Sequence, residues 1–234
     1  MKWTSLAASE LHWSGPITNQ AAKQEVAARI ARRVRNGDVI GVGSGSTVFL
    51  AIQAIGARIK AEGLTCLAIA GSPETSMACA AVGIPTTSLL CARPDWSFDG
   101  ADEVDPAHNL IKGRGGAMFR EKLLMSTSPK NFIIIDRSKL VSRIGEKFPV
   151  PVEVFPEAVH WVEGELNRLG ATQVKLRVGS GKDGPVITEA GNFILDAKFA
   201  EIQAPLEKQI KEIPGVIESG LFMGWPVEVW VSEE

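Results

Sequence analysis

Between residues 20 and 135, short runs of almost wholly apolar residues alternate with longer stretches whose apolar side chains recur at helical spacing. A strand with one wet face alternates apolar and polar residues, whereas a strand that is apolar throughout must be covered on both faces. Joining such strands through helices points to one architecture, a parallel sheet with helices on either side. Residues 39–42, 67–70, 89–91 and 132–135 are the runs expected to be its strands. A first helix is expected to be capped by Thr18 or Asn19, to turn Ala22, Val26, Ile30 and Val34 inward, and to stop at Gly37. A second is expected from Ser46, with Val48, Ile52, Ile55 and Ile59 inward, and a third over residues 72–82.

The pattern changes after about residue 144. Residues 150–155 read as a strand that Pro149, Pro151 and Pro156 keep short or at a sheet edge. Residues 156–169 are helical, with Pro156 suited to the first turn. Residues 173–178 and 193–198 alternate like a half-buried antiparallel pair, and a helix over 202–212 is closed by Pro214 and Gly215. That order of elements suggests a small α+β domain of the split βαβ kind. Two more strand-like runs within 216–231 are expected to return to the first part of the chain. The expected domains are therefore 1–144 together with 216–234, and 145–215.

Charge and cysteine usage narrow the partners. A net charge of −2 and a pI near 6.0 offer no basic field for nucleic acid or an anionic membrane, so a small anionic ligand would need a local site. Cys66, Cys79 and Cys91 are odd in number and scattered, which argues against a disulfide framework or a zinc site and for reduced thiols in the cytoplasm. His12, His108 and His160 are far apart in sequence, so no metal site is expected. Residues 1–16 lack the apolar core of a signal peptide, and no stretch approaches the ~20 apolar residues of a membrane span.

Three clusters carry candidate chemistry. Gly41, Val42, Gly43, Ser44, Gly45, Ser46 and Thr47 lie between a strand and a helix. Glycines there admit an anion to backbone N–H groups, and the helix N-terminus favours negative charge. Ser46 stands where a dinucleotide fingerprint needs its last glycine, and the P-loop lysine is missing, so the loop suits a single phosphate. Asp99, Gly100, Ala101, Asp102 and Glu103 place three acids in five residues, which by themselves fit a solvated turn, a magnesium site or a ligand crevice equally. Lys112, Gly113, Arg114, Gly115 and Gly116 form a second glycine-rich loop before a helix that carries Glu121 and Lys122. Taken singly, that acid and lysine read as a surface charge pair.

Together the clusters supply what enolisation of a sugar phosphate requires. A carboxylate must take the weakly acidic C–H proton beside a carbonyl and return it to the neighbouring carbon. A cation or N–H group must stabilise the enediolate oxygen, and the phosphate holds the sugar in register. No metal or cofactor is needed for that chemistry.

The motifs GVGSGST, DGADEVD, KGRGGAMFREK, IIDRSKLV, PVEVFP, GNFILD and IPGVIESGLF, in this order from Lys23 to Val231, resemble the ribose-5-phosphate isomerase A family. The resemblance implies a Rossmann-like domain with a smaller, ferredoxin-like α+β domain, in homodimers or homotetramers. It implies a cytoplasmic, metal-independent isomerase of the pentose phosphate pathway, with no cofactor, acting on a small sugar phosphate rather than on nucleic acid or membrane. Glu121 corresponds to the proton-shuttling base. Asp99 and Asp102, with Gly100 and Ala101 between them, line the sugar site, and Asp99 is placed to help open the furanose ring. Lys112 and the N–H groups of Gly113, Arg114 and Gly115 would stand beside the reacting oxygens. Ser44, Gly45, Ser46 and Thr47 would hold the phosphate, with Lys139 nearby and Lys23 as a weaker candidate.

Three departures from the family pattern fall near these residues. Arg114 replaces a common glycine, residues 188–192 read TEAGN in place of TDNGN, and residues 71–75 read GSPET in place of a T-S-x-Q type of segment. Three other function classes fit less well. A non-catalytic sugar-phosphate effector module would carry a DNA-reading helix-turn-helix, for which the N-terminal segment leaves no room. A nucleotide-dependent dehydrogenase would need the third glycine. An acyl-CoA transferase would need its glutamate in a different motif.

Overall fold

The computed structural model describes residues 13, 15–181 and 183–233. His12 and nearly all of the 1–16 segment lie outside them. The described residues form two compact units, one drawn from 1–100, 121–137 and 227–234, the other from 101–120 and 138–226. Drawn by compactness, the second unit takes more of the chain than the expected 145–215. Among the described residues no helix is long and apolar enough to cross a membrane.

The first unit is built on six parallel strands: β1 (Asp38–Val42), β2 (Cys66–Ala70), β3 (Thr86–Thr87), β4 (Trp96–Asp99), β7 (Asn131–Ile135) and β13 (Val227–Val231). Their spatial order is β13-β7-β4-β1-β2-β3. Numbered within this sheet that is the Rossmann order, and its direction of travel reverses between β1 and β4, where ligands of such sheets bind beyond the strand ends. Helices α2 (Ser46–Glu62) and α3 (Pro73–Ala81) follow the expected registers, whereas α1 (Gln20–Ala31) ends short of the expected stop at Gly37 and leaves Val34 buried beyond its last turn. Val26, Ile30, Val48, Ile52 and Ile55 are buried in one cluster with Ile40, Phe98 and Ile134. Asn19 caps α1 by backbone position alone, with φ 51° and no side-chain cap bond.

Two strand expectations change. Residues 89–91 are a turn, closed by Cys91 and Ala92 N–H groups on the Ser88 carbonyl, and Leu90 is 97% exposed. The edge strand is instead the short β3, which meets β2 only at Ala68↔Thr86 and Ile69↔Thr87. An apolar triplet of that length cannot by itself distinguish an edge strand from an exposed turn. The central strand β4 was not among the expected runs, because Ser97 and Asp99 interrupt its apolar pattern. Both polar residues are nevertheless buried, Ser97 donating its hydroxyl to Asn131 at 2.6 Å.

The second unit holds a four-stranded antiparallel sheet of β8 (Val150–Val154), β9 (Ala171–Leu176), β10 (Phe193–Phe199) and β11 (Val216–Ser219), in the order β11-β8-β10-β9. Helix α5 (Val159–Arg168) joins β8 to β9 and α6 (Pro205–Lys211) joins β10 to β11. This is the ferredoxin-like β-α-β-β-α-β arrangement. Their apolar sides meet in a core that includes Val152, Val162, Leu166, Leu195 and Ile210. A three-stranded sheet joins β5 (Glu103–Val104), β6 (Leu110–Ile111) and β12 (Leu221–Phe222). β8 is short but internal rather than at an edge. Its Pro151 is tolerated because the Pro151 carbonyl accepts from Gly220 just past the end of β11, so the missing N–H falls where that ladder stops. Of the two late runs expected to return to the first part of the chain, β13 joins the first sheet parallel to β7, while the earlier run divides into β11 in the antiparallel sheet and β12 beside β6. Helix α4 (Met118–Thr127) carries the chain from the second unit into the first.

Candidate active site

In the first unit the site is built around the end of β1. Gly43 carries the tightest constraint: a Cβ there would lie 1.9 Å from the carboxyl carbon of Asp99 at the end of β4. Only glycine lets the loop lie against that acid. Gly45 follows with φ 95°, a conformation open to glycine, and begins α2. The loop is braced from behind by the segment that departs from the family pattern. Gly71 donates its N–H to the Val42 carbonyl at 2.7 Å, and Thr75 donates its hydroxyl to the Gly43 carbonyl at 2.7 Å. Ser72 accepts the Thr75 N–H at 3.0 Å as the cap of α3, with Pro73 in the first turn. The Ser-Pro pair signals that cap in the sequence; Thr75's bond to the loop carries no local signal.

Asp99 and Glu121 are both buried, at 3% and 4% exposure, so each needs hydrogen-bond donors. Asp99 Oδ1 accepts the N–H groups of Ser44 at 3.1 Å and Gly100 at 2.7 Å. Glu121 stands in the first turn of α4, where the helix dipole favours an anion, and its Oε1 accepts the Ser44 hydroxyl at 2.6 Å. Ser44 therefore addresses both acids, one through its backbone and one through its side chain. Its expected phosphate donors are committed to carboxylates. The N-terminus of α2 retains Gly45, Ser46 and Thr47 for an anion; Gly45 is exposed, Ser46 half-buried and Thr47 buried.

In the second unit Lys112 is 3% exposed, donates its N–H to the Gly220 carbonyl at 2.9 Å, and holds its ammonium 5.8 Å from the centre of the Phe222 ring. The turn after it is closed by the Gly116 N–H on the Gly113 carbonyl at 3.0 Å. Asp102 donates its N–H to Ile111, and its carboxylate accepts the Arg114 N–H at 3.1 Å. That N–H, expected to face reacting oxygens, is thus occupied by Asp102. The Arg114 guanidinium and the Lys139 ammonium lie 5.8 and 5.9 Å from the ring centre of Phe148. Gly100 and Ala101, between the two aspartates, are half-buried.

Phe148 and Glu103 were not singled out for these roles. Glu103 is fully buried and accepts N–H groups from Gly145, Lys147 and Phe148 at 2.7, 2.5 and 2.6 Å. The third acid of the DGADE cluster is therefore an organiser of the loop that presents Phe148. The TEAGN departure leaves its turn closed, with Thr188 N–H on the Asn192 carbonyl at 2.8 Å and both side chains donating to buried Glu153.

Lys23 is buried, 3.8 Å from Asp136 and donating to Thr18 at 3.2 Å, while Asn19 donates to the other Asp136 oxygen at 3.0 Å. A lysine so paired offers a phosphate less net charge than its sequence position suggests. Trp225 rests against Phe222 and Trp230 against Phe132, both half-buried by their own chain. Among the described residues no three His, Cys, Asp or Glu side chains gather as a metal site.

The sequence profile of the family described as ribose 5-phosphate isomerase A (phosphoriboisomerase A) matches residues 67–234. The chain belongs to the ribose 5-phosphate isomerase A family. It is 46% identical over 215 residues to ribose-5-phosphate isomerase A of Thermosynechococcus vestitus, covering 90% of this chain and 91% of that one. The solved ribose 5-phosphate isomerase A of Methanocaldococcus jannaschii superposes with a TM-score of 0.89 at 41% identity, covering 93% and 96% of the two chains. A D-ribose-5-phosphate isomerase solved with phospho-erythronic acid superposes at 0.86 with 39% identity, covering 92% of this chain and 96% of that one.

Proposed function

We propose that the protein interconverts D-ribose 5-phosphate and D-ribulose 5-phosphate through an enediolate. The observation that carries this is the 2.6 Å hydrogen bond from Ser44 to Glu121. It sets a carboxylate beside the same loop that offers an anion site at Gly45, Ser46 and Thr47. Ser46 stands two positions after Ser44, a span of at most ~7 Å and of the order of an extended five-carbon chain. A phosphate at the start of α2 therefore leaves the carbonyl end of the sugar near Glu121.

In the open-chain aldose Glu121 takes the C2 proton, the electron pair moves into the C1–C2 bond, and the C1 carbonyl oxygen becomes the enediolate oxygen. The proton is returned to C1 as the O2 hydroxyl passes its own to O1, leaving the ketone at C2 and a hydroxyl at C1. Lys112 supplies positive charge for the oxygens, with the Gly113 and Gly115 N–H groups. Asp99, fixed by two N–H donors, assists ring opening, and Asp102 orders the second loop by holding the Arg114 N–H. Lys139 adds charge for the phosphate. We place the enzyme in the cytoplasm as a homodimer or homotetramer, with no metal or cofactor in the reaction; light scattering reports the assembly.

The test is conversion of ribose 5-phosphate by purified protein in chelator-containing buffer, followed by NMR in deuterated water. Ketose should form with deuterium at the exchanged carbon, and free ribose should be a very poor substrate. No conversion sinks the proposal. Turnover of ribose equal to that of its 5-phosphate contradicts the phosphate assignment, and activity that returns only with added divalent ion would recast Asp99 and Asp102 as ligands.

A further inference from the structure

Arg177 follows β9 in the second unit and uses its whole guanidinium internally. Its Nε donates to Asp196 on β10 at 2.8 Å and its Nη2 to the other oxygen of the same carboxylate at 2.5 Å. Its Nη1 donates to two successive carbonyls, Gly113 at 3.0 Å and Arg114 at 2.9 Å. The Gly113 carbonyl is the one that also closes the turn by accepting the Gly116 N–H. Two consecutive carbonyls held on one nitrogen fix two peptide planes, and with them the directions of the Arg114 and Gly115 N–H groups. The first of these meets Asp102. Asp196, on a paired strand, anchors the guanidinium.

We infer that Arg177 is a positioning residue for isomerisation: it orients the 113–116 turn so that the Arg114 N–H meets Asp102 and the Gly115 N–H keeps the direction the enediolate needs. This rests on the proposed function. A guanidinium is suited to the task because its planar fork serves a carboxylate on one edge and two carbonyls on another, which a lysine cannot do. Arg177 also borders a cavity of about 330 Å³ lined by Asp102, Arg114, Phe148, Pro149 and Asp196 among others, so a shortened side chain opens onto space that a small cation can enter.

The experiment compares the wild-type enzyme with Arg177→Lys and Arg177→Ala. Displacing a reacting group by about 1 Å costs on the order of 10²-fold, so kcat should fall roughly 10- to 100-fold in Arg177→Lys. KM should stay within about threefold, because the phosphate contacts lie elsewhere. Affinity for phospho-erythronic acid, whose carboxylate offers two oxygens where the enediolate has its own, should fall with kcat, while competition by inorganic phosphate should not change. Millimolar guanidinium should restore part of the kcat of Arg177→Ala and none of that of Glu121→Gln. Arg177→Lys retains a cation for Asp196 and thereby the fold; circular dichroism checks this. An Arg177→Lys enzyme with kcat within twofold of wild type overturns the inference. So does an equal loss of affinity for phospho-erythronic acid and phosphate, which marks general damage. A wild-type protein that does not isomerise ribose 5-phosphate sinks the proposed function instead.

Discussion

Ser44 donates its hydroxyl to Glu121 at 2.6 Å and its N–H to Asp99 at 3.1 Å, joining residues 77 and 55 positions away in the chain. One side chain and one amide thus hold the proposed base and the proposed ring-opening acid at the mouth of the same loop. Replacing Glu121 by Gln keeps the shape and removes the base. Turnover should fall roughly 10² to 10⁴-fold with little change in KM. Ser44→Ala leaves the base and loosens its aim, so its loss should be smaller and again in kcat. A folded Glu121→Gln enzyme running near the normal rate would move the proton shuttle to another group, Asp99 first.

Gly43→Ala places a Cβ 1.9 Å from the Asp99 carboxyl carbon, inside any permitted contact. Either the loop or Asp99 must move. Overpacking of this sort costs about 1–3 kcal/mol, and activity should fall further than stability alone explains. Urea denaturation and kcat measured side by side check both; an unaltered kcat would mean that Asp99's position does not matter.

Glu103→Gln turns a buried acceptor of three N–H groups into one whose amide nitrogen faces donors. Hydrogen bonds to a charged group contribute about 1.5–3 kcal/mol each, so a loss of about 2 kcal/mol or more is expected in urea. Hydrogen exchange should report the opening at residues 145–148. Exchange there that matches wild type would refute the bracing role.

Burial pushes the Cys79 thiol from its ordinary 9.0 up to about 12, with nearby Cys66 adding to the rise; burial raises Cys66 as well. A thiol whose folded value is raised supports the fold fully below the unfolded value and loses that support as pH climbs through the folded one. The native state should therefore weaken from about pH 9 upward, and not on the acid side for this reason. In the folded enzyme at pH 8, a thiol reagent should modify the exposed Cys91 and spare Cys66 and Cys79, counted by mass spectrometry. Rapid labelling of all three without unfolding would contradict the packing.

Much of the fold was legible because its signals are local. Short apolar runs announced β1, β2 and β7, helical spacing announced α1 to α3, and alternation announced β9 and β10. The strands that escaped, β3 to β6, are short or carry buried polar residues whose partners are remote, such as Ser97 with Asn131. Pro151 pointed to a strand either short or at an edge, and β8 is short and internal; a proline's cost depends on where the neighbouring strand ends, which no local pattern states.

The sequence by itself determined the chemistry on offer: two glycine loops, the acids at 99, 102, 103 and 121, and the lysines at 112 and 139. Residue type and spacing suffice for that. Only the tertiary structure decided how those groups are used. It turned Ser44 from a phosphate donor into the link between Asp99 and Glu121, made Glu103 a brace, paired Lys23 with Asp136, and brought in Thr75 and Arg177. The reason is reach. A hydrogen bond acts over about 3 Å, and which distant groups come that close is set by strand order and packing rather than by their separation along the chain.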